Sequence, residues 1–236
     1  MNIIEVKKLN FSYGDIPILE DVSFAIKKGD MVALIGPNGS GKTTLVKNII
    51  GLLKPKSGEI LINGEKADDY IDKIGYVPQR FEFDRNTPIT LNEFLSLEKC
   101  GKDGHDCKNI DAYLEKVDLT AYKNKRLSSL SGGQFQRAMI ARALLHEKEI
   151  LIFDEPSTGI DLAGEKTVYD LISLANKENK VTCLIVSHDL SVVSSFTKKV
   201  ICINKKIVCQ GTPNKIINPK TLEKLYGVKI GLYHSH

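Results

Sequence analysis

Nine consecutive residues, Gly36, Pro37, Asn38, Gly39, Ser40, Gly41, Lys42, Thr43 and Thr44, carry the densest chemistry in this chain. They read GPNGSGKTT and satisfy the spacing GxxxxGK(S/T). Glycines at such spacing let successive backbone N–H groups curl around phosphate oxygens, and a helix opening near Lys42 would aim its positive dipole end at the same anion. Lys42 is expected to reach the β- and γ-phosphates of a nucleotide, and the Thr43 hydroxyl to bind Mg²⁺.

A second group follows the apolar run ILIFDEP, Ile150 to Pro156. A short apolar strand that ends in Asp154-Glu155 delivers two carboxylates to the carboxyl edge of a parallel sheet, where ligands bind. Asp154 would hold the magnesium shell, and Glu155 would orient or deprotonate the water that attacks the γ-phosphate. A third group, Ser131, Gly132, Gly133 and Gln134, follows Leu130. Serine followed three residues later by glutamine is a capping-box pattern, enough by itself to explain the serine. The glycine pair is not explained that way. It costs roughly 1 kcal/mol per residue in helix propensity while permitting close approach of an anion, so a second phosphate contact is the favoured reading.

The surrounding pattern supplies elements to position these groups. Ile3 to Ile26 alternates in strand fashion around a turn at Tyr13-Gly14-Asp15 and around Pro17. Met31 to Ile35 is too short for a helix, and helical spacing runs from Thr43 to Leu53. Glu59 to Ile62 and Ile74 to Val77 read as strands. Helical periods occupy Leu91 to Lys99, Ile110 to Val117 and Gln134 to Leu145. Beyond them, strands at Glu149 to Phe153, Val181 to Val186 and Val200 to Ile203 alternate with helices at Gly164 to Lys177 and Leu190 to Ser195. Such alternation specifies a parallel sheet with covering helices. Pro213 to His236 is weakly patterned, and short surface helices are expected there.

Composition narrows the class. The 236 residues are 42% hydrophobic and 26% charged, which describes a globular protein rather than a disordered or fibrous one. The net charge of +4 is dispersed and is not interleaved with aromatics, so nucleic acid is not an expected partner. The N-terminus lacks a secretory pattern, and the longest apolar runs fall far short of the roughly 20 residues that span a bilayer, so membrane association is expected to be peripheral. Five cysteines, Cys100, Cys107, Cys183, Cys202 and Cys209, form an odd set without CxxC spacing; three lie in apolar strand-like stretches where free thiols pack well, and a reducing cytoplasm is expected. Cys100, His105 and Cys107, together with His234 and His236, form no complete four-ligand set and read as solvated polar residues.

Taken in order, GPNGSGKTT, LSGGQ and ILIFDEP resemble the nucleotide-binding ATPase subunits of ABC transporters, over about residues 3 to 215. The resemblance implies an α/β fold: a RecA-like P-loop NTPase core with an N-terminal antiparallel β subdomain and an inserted α-helical subdomain. It divides a single domain into core 1–80 and 149–215, helical subdomain 81–148 and C-terminal extension 216–236. ATP and Mg²⁺ are the implied cofactors. By the same resemblance Tyr13 stacks on adenine, Gln79 approaches magnesium or the attacking water, Ser157 to Asp161 form the D-loop, and His188 senses the γ-phosphate. An aromatic filling a strand edge at Tyr13 and a solvent-facing amide at Gln79 remain the simpler alternatives.

The family pairs two copies, so that Ser131, Gly132, Gly133 and Gln134 of one chain close over ATP held by the other, with Asp161 at the interface; a second copy is therefore the first expected partner. Integral membrane permease subunits are the second, reached through the stretch after Gln79. The run Asp84 to Phe94, with Pro88-Ile89-Thr90, resembles the subfamily that imports zinc or manganese with an extracellular binding protein. This implies residence at the cytoplasmic face of the membrane. An ABC-type ATPase with a soluble partner, as in iron-sulfur assembly or DNA repair, is the competing reading; a non-enzymatic scaffold is disfavoured because it has no use for Glu155.

Overall fold

The computed structural model describes residues 1–79, 81, 84, 86–97, 110–145, 148–158, 160 and 162–227. Two sheets share the chain. The first pairs β1 (Asn2–Tyr13), β2 (Ile16–Lys27), β4 (Ser57–Ile62) and β5 (Glu65–Lys66), all antiparallel, in the order β2-β1-β4-β5. Pro17 lies within β2 without harm because β2 is an edge strand, where a missing N–H breaks no ladder.

The second sheet contains β3 (Met31–Ile35), β6 (Ile74–Val77), β7 (Ile150–Asp154), β8 (Thr182–Val186), β9 (Lys199–Asn204) and β10 (Lys206–Gly211), in the order β10-β9-β3-β8-β7-β6. All its pairs are parallel except β9 with β10. Strands β3, β7 and β8 are buried along their whole length, as a sheet covered on both faces requires.

Period-two alternation sorts these strands into cores. Val32, Leu34, Ile152, Leu184, Val186 and Ile201 face one way and pack with Leu45, Val46 and Ile49 of α1 (Lys42–Ile49) and with the antiparallel sheet. Residues facing the other way divide between two clusters. Leu151, Phe153, Cys183 and Ile185 pack with α2 (Leu91–Ser96), α3 (Ile110–Lys116), α4 (Gly132–Leu144) and α5 (Leu162–Asn179). Ala33, Ile35, Val200 and Cys202 pack with α6 (Leu190–Phe196), α7 (Pro213–Ile216) and α8 (Pro219–Tyr226).

Two expectations are corrected. The C-terminal segment is not merely a surface decoration, since Leu222 and Leu225 of α8 are fully buried; each such side chain contributes roughly 2 kcal/mol by removal from water. Cys202 and Cys209 are not free thiols but a disulfide. Strand β10, which has no clear alternation, returns antiparallel to β9 and sets Cys209 opposite Cys202 with Cα atoms 5.0 Å apart, within bridging range. Cys183 is free, and burial pushes its thiol up to about 12. Cys100, His105, Cys107, His234 and His236 lie outside the described residues. Among the described residues no cluster of three or more His, Cys, Asp or Glu could hold a metal, and no helix is long and apolar enough to cross a membrane.

Candidate functional site

A cavity of about 770 Å³ opens at the carboxyl ends of β3, β7 and β8. It is lined by all nine residues from Gly36 to Thr44, and by Gln79, Glu155 and His188, which four separate loops bring together. The strand order explains the convergence: β3, β8, β7 and β6 are consecutive neighbours, so the loop after each of these four strands faces one crevice.

At two points of the phosphate loop the neighbours leave no room for a side chain. A Cβ at Gly36 would collide with the Ile203 carbonyl, and one at Gly41 would stand 2.8 Å from Leu19 Cδ2 and 3.0 Å from the Ile18 carbonyl. Gly41 also adopts φ +97°, open to glycine and strained for other residues. The β9–β10 turn holds the loop from below, Lys205 N–H donating to the Ser40 carbonyl at 3.0 Å. Lys42, only 7% exposed, donates through Nζ to the carbonyls of Gly36 at 2.8 Å and Pro37 at 3.0 Å. Burial holds its ammonium below the ordinary lysine range, a shift partly offset by the Glu155 and Asp154 carboxylates.

Asp154 is 1% exposed, and neither of its oxygens has a hydrogen bond of ordinary geometry within the described residues. The Thr43 hydroxyl still faces it closely enough to act on its charge, and the Asp154 carboxylate adds to burial in raising the Tyr76 phenol. Desolvation is the largest influence and raises its pKa; the Thr43 hydroxyl opposes that, and repulsion from Glu155 adds to it. A buried, unpartnered carboxylate beside a threonine hydroxyl is the donor chemistry of a hard divalent cation, so the residues present fit Mg²⁺. The buried Ser40 hydroxyl, also without a partner among the described residues, adds a donor on the phosphate side.

Glu155 has φ +48°, rare for a residue with a side chain, and its N–H donates to the Val186 carbonyl at 3.0 Å. The turn directs its carboxylate into the cavity. There Oε2 accepts from Gln79 Nε2 at 2.8 Å and from Thr158 Oγ1 at 3.3 Å, and stands 3.6 Å from His188 Nδ1. A carboxylate with two neutral donors and an exposed imidazole beside it can hold a water and accept its proton.

The remaining expected residues are elsewhere. Ser131 and Gln134 form both bonds of a capping box at α4: Ser131 N–H to Gln134 Oε1 at 2.9 Å, and Gln134 N–H to Ser131 Oγ at 3.3 Å. Neither they nor Gly132 and Gly133 line the cavity. A Cβ at Gly133 would make only an ordinary 3.6 Å contact with Ile160, so packing within the chain does not require glycine there. Tyr13 is half exposed and meets Phe11 edge to face at 5.0 Å; it too is off the cavity wall. Asp161 lies outside the described residues.

Two lining residues, Ile18 and Tyr226, escaped the sequence reading. The signal for Tyr226 was present: Asn218-Pro219 is a helix start, Leu222 and Leu225 share a face, and Gly227 closes the helix at φ +72°. Nothing local in the sequence distinguishes Ile18, which reaches the site only because β2 passes behind Gly41.

Comparison with known proteins agrees with this geometry. The ABC transporter family pattern matches residues 19–158. The zinc import ATP-binding protein ZnuC of Rickettsia bellii is 41% identical over 214 residues, 91% of this chain and 88% of that protein. ZnuC of Haemophilus influenzae is 35% identical over 99% of this chain and 85% of its own length. Among solved structures, cbiO1 of Clostridium perfringens, part of the ABC transporter complex cbiONQ, superposes with a TM-score of 0.79 at 29% identity, covering 94% of this chain and 93% of that one. A nucleotide-free ATP-binding cassette from an ABC transporter gives 0.80 at 25% identity, covering 94% and 98%. With its phosphate loop, acidic strand end and two-sheet architecture, the chain belongs to the ABC transporter family, as an ATP-binding subunit that hydrolyses ATP to drive transport.

Proposed function

We propose that this chain powers import of a divalent metal, zinc first, through separate permease subunits in the membrane, and that it works as an ATP-sandwiched pair. The zinc assignment rests on relatives named for zinc import at 35–41% identity over most of the chain. The pairing rests on one structural observation: the cavity carries the phosphate loop, Gln79, Glu155 and His188, while Ser131 to Gln134, with a glycine that packing does not require, stand outside it. A phosphate held from one side leaves its γ-face open, and a second copy related by a two-fold axis can cover two such faces with one patch.

In this reading Gly36 to Thr44 and Lys42 bind the triphosphate, Tyr13 stacks on the adenine, and Asp161 lies at the pair's interface. Thr43, Gln79 and Asp154 would hold Mg²⁺, which when bound screens the phosphate charges. Glu155 orients the attacking water and accepts its proton, and His188 donates to the γ-phosphate, so loss of that phosphate is felt where Gln79 and His188 meet Glu155. Residues 81–148 act as the helical subdomain that meets the permease, with 1–80 and 149–215 as core and 216–236 as an extension. An extracellular metal-binding protein would deliver the ion without touching this chain, which sits peripherally on the cytoplasmic face.

The test is radiolabelled zinc uptake in cells lacking the chain. Restoration by the wild-type sequence and not by Lys42→Ala, together with capture of a multi-span membrane protein on the purified chain, is the expected result. Restoration absent for both, with only soluble partners captured, would overturn the transport assignment.

A further inference from the structure

A line of hydroxyls runs behind the catalytic carboxylate. Tyr169, on α5, is 1% exposed, its ring stacked on Phe196 with centroids 5.6 Å apart. Its hydroxyl lies 3.3 Å from Ser157 Oγ, and the Ser187 hydroxyl faces it closely enough to act on the phenol. Ser157 Oγ in turn donates to Glu165 Oε1 at 2.7 Å. The polarity of this line follows from its end. An ionised carboxylate only accepts, so Ser157 spends its single proton on Glu165 and can take from Tyr169 but not give to it. Tyr169 therefore donates to Ser157, which leaves its own oxygen to accept from Ser187. Ser187 Oγ still accepts the Asp189 N–H at 3.0 Å. The order Ser187, Tyr169, Ser157, Glu165 lets each hydroxyl give one bond and take one.

The two serines occupy telling positions. Ser157 is two residues after Glu155, and Ser187 is the residue before His188. The loops that carry the 3.6 Å Glu155–His188 pair are thus joined, beneath the cavity, through one buried phenol on a helix that lines no part of it. Burial raises the Tyr169 pKa, keeping it a donor across the neutral range.

We infer that Tyr169 is a positioning residue for ATP hydrolysis, whose hydroxyl fixes the loop after Glu155 against the loop before His188 and so sets the spacing of base and imidazole. It touches neither ATP nor metal. The inference rests on the assignment of Glu155 and His188 given above.

The test is steady-state phosphate release and equilibrium ATP binding by the full chain carrying Tyr169→Phe, Ser157→Ala, both together, or Ser157→Thr. Phenylalanine keeps the stacked ring and removes only the oxygen. Tyr169→Phe is expected to lower kcat roughly tenfold, the scale of a slightly misplaced catalytic group, with KM and ATP affinity within about twofold of wild type. Ser157→Ala should match it, the double variant should be no slower than either single one, and Ser157→Thr should restore the rate. An unchanged kcat in Tyr169→Phe overturns the inference, as does a parallel loss of affinity and rate, or additive effects in the double variant. Glu155→Gln separates the two levels: if it turns over at the wild-type rate, the assignment of the base has failed, whatever Tyr169→Phe does.

Discussion

Replacing Glu155 by glutamine separates binding from hydrolysis, and its consequences can be worked from the contacts around the side chain. The Oε2 atom accepts from Gln79 at 2.8 Å and Thr158 at 3.3 Å. An amide oxygen turned the same way keeps both bonds, and the side chain is nearly isosteric, so the fold and the phosphate loop are undisturbed. What disappears is the ability to take a proton. Loss of a positioned general base costs about 10²- to 10⁴-fold in rate, or roughly 3 to 5 kcal/mol in barrier. Affinity should move the other way. Glu155 is one of the two carboxylates acting on Lys42, beside the space for the phosphates, and removing its charge relieves repulsion with the polyanion. The expected outcome is ATP binding as tight as wild type or tighter, phosphate release at 1% of wild type or less, and a nucleotide-bound species twice the mass of the chain on size exclusion. Titration with ATP, a phosphate-release assay and light scattering measure the three. Turnover within threefold of wild type would refute the role of Glu155; slow turnover accompanied by weak ATP binding would show that glutamine had disturbed the loop instead.

Ser131→Arg places a bulky cation on a helix start outside the chain's own cavity, so ATP affinity of the monomer should stay within twofold while turnover falls at least 100-fold and no ATP-dependent dimer forms; binding assays and light scattering check this. Asp154→Asn should abolish Mg²⁺-dependent turnover yet raise the Tm of the unliganded chain by about 2 °C at pH 8, read by calorimetry. The sign follows from the raised pKa of the folded state: Asp154 favours the fold while protonated and becomes a burden as pH rises through its folded value, so the gain should shrink as pH falls toward the ordinary 3.8. Tyr226→Ala removes a wall of the cavity while leaving the buried Leu222 and Leu225 anchors, and should weaken ATP binding about threefold with Tm nearly unchanged, as nucleotide titration would show.

How far the sequence reached depends on the range of the forces involved. The phosphate loop, the acidic strand end and the α4 capping box were readable because each is fixed within a few residues: glycines for a close approach, an apolar run too short for a helix, a serine three places before a glutamine. Strands β3, β7, β8 and β9 were readable for the same reason, as short apolar runs between turn signals. Strand β10 was not. Its residues are only partly buried, and it exists because β9 offers an open edge, a circumstance no local window contains. The Cys202–Cys209 bridge failed to appear in the reading as a direct consequence. The 3.6 Å approach of His188 to Glu155 and the Ser187–Tyr169–Ser157 line also escaped, since both depend on the register of β7 against β8, where Asp154 pairs with Val186.

Three departures from ordinary local rules fall together at the cavity. Asp154 is buried with no hydrogen bond of ordinary geometry among the described residues, Glu155 holds a positive φ without being glycine, and Lys42 is buried with its charge turned onto the carbonyls of its own loop. Each is unfavourable in the unliganded chain: a desolvated carboxylate, a strained backbone, a desolvated cation. The first and the last are relieved by one event, the arrival of a polyanion with its divalent cation, which supplies Asp154 with a counter-charge and Lys42 with phosphate oxygens. Binding of ATP with Mg²⁺ should therefore stabilise this chain by more than the same nucleotide without the cation, and Asp154→Asn should abolish that difference while leaving the metal-free increment intact.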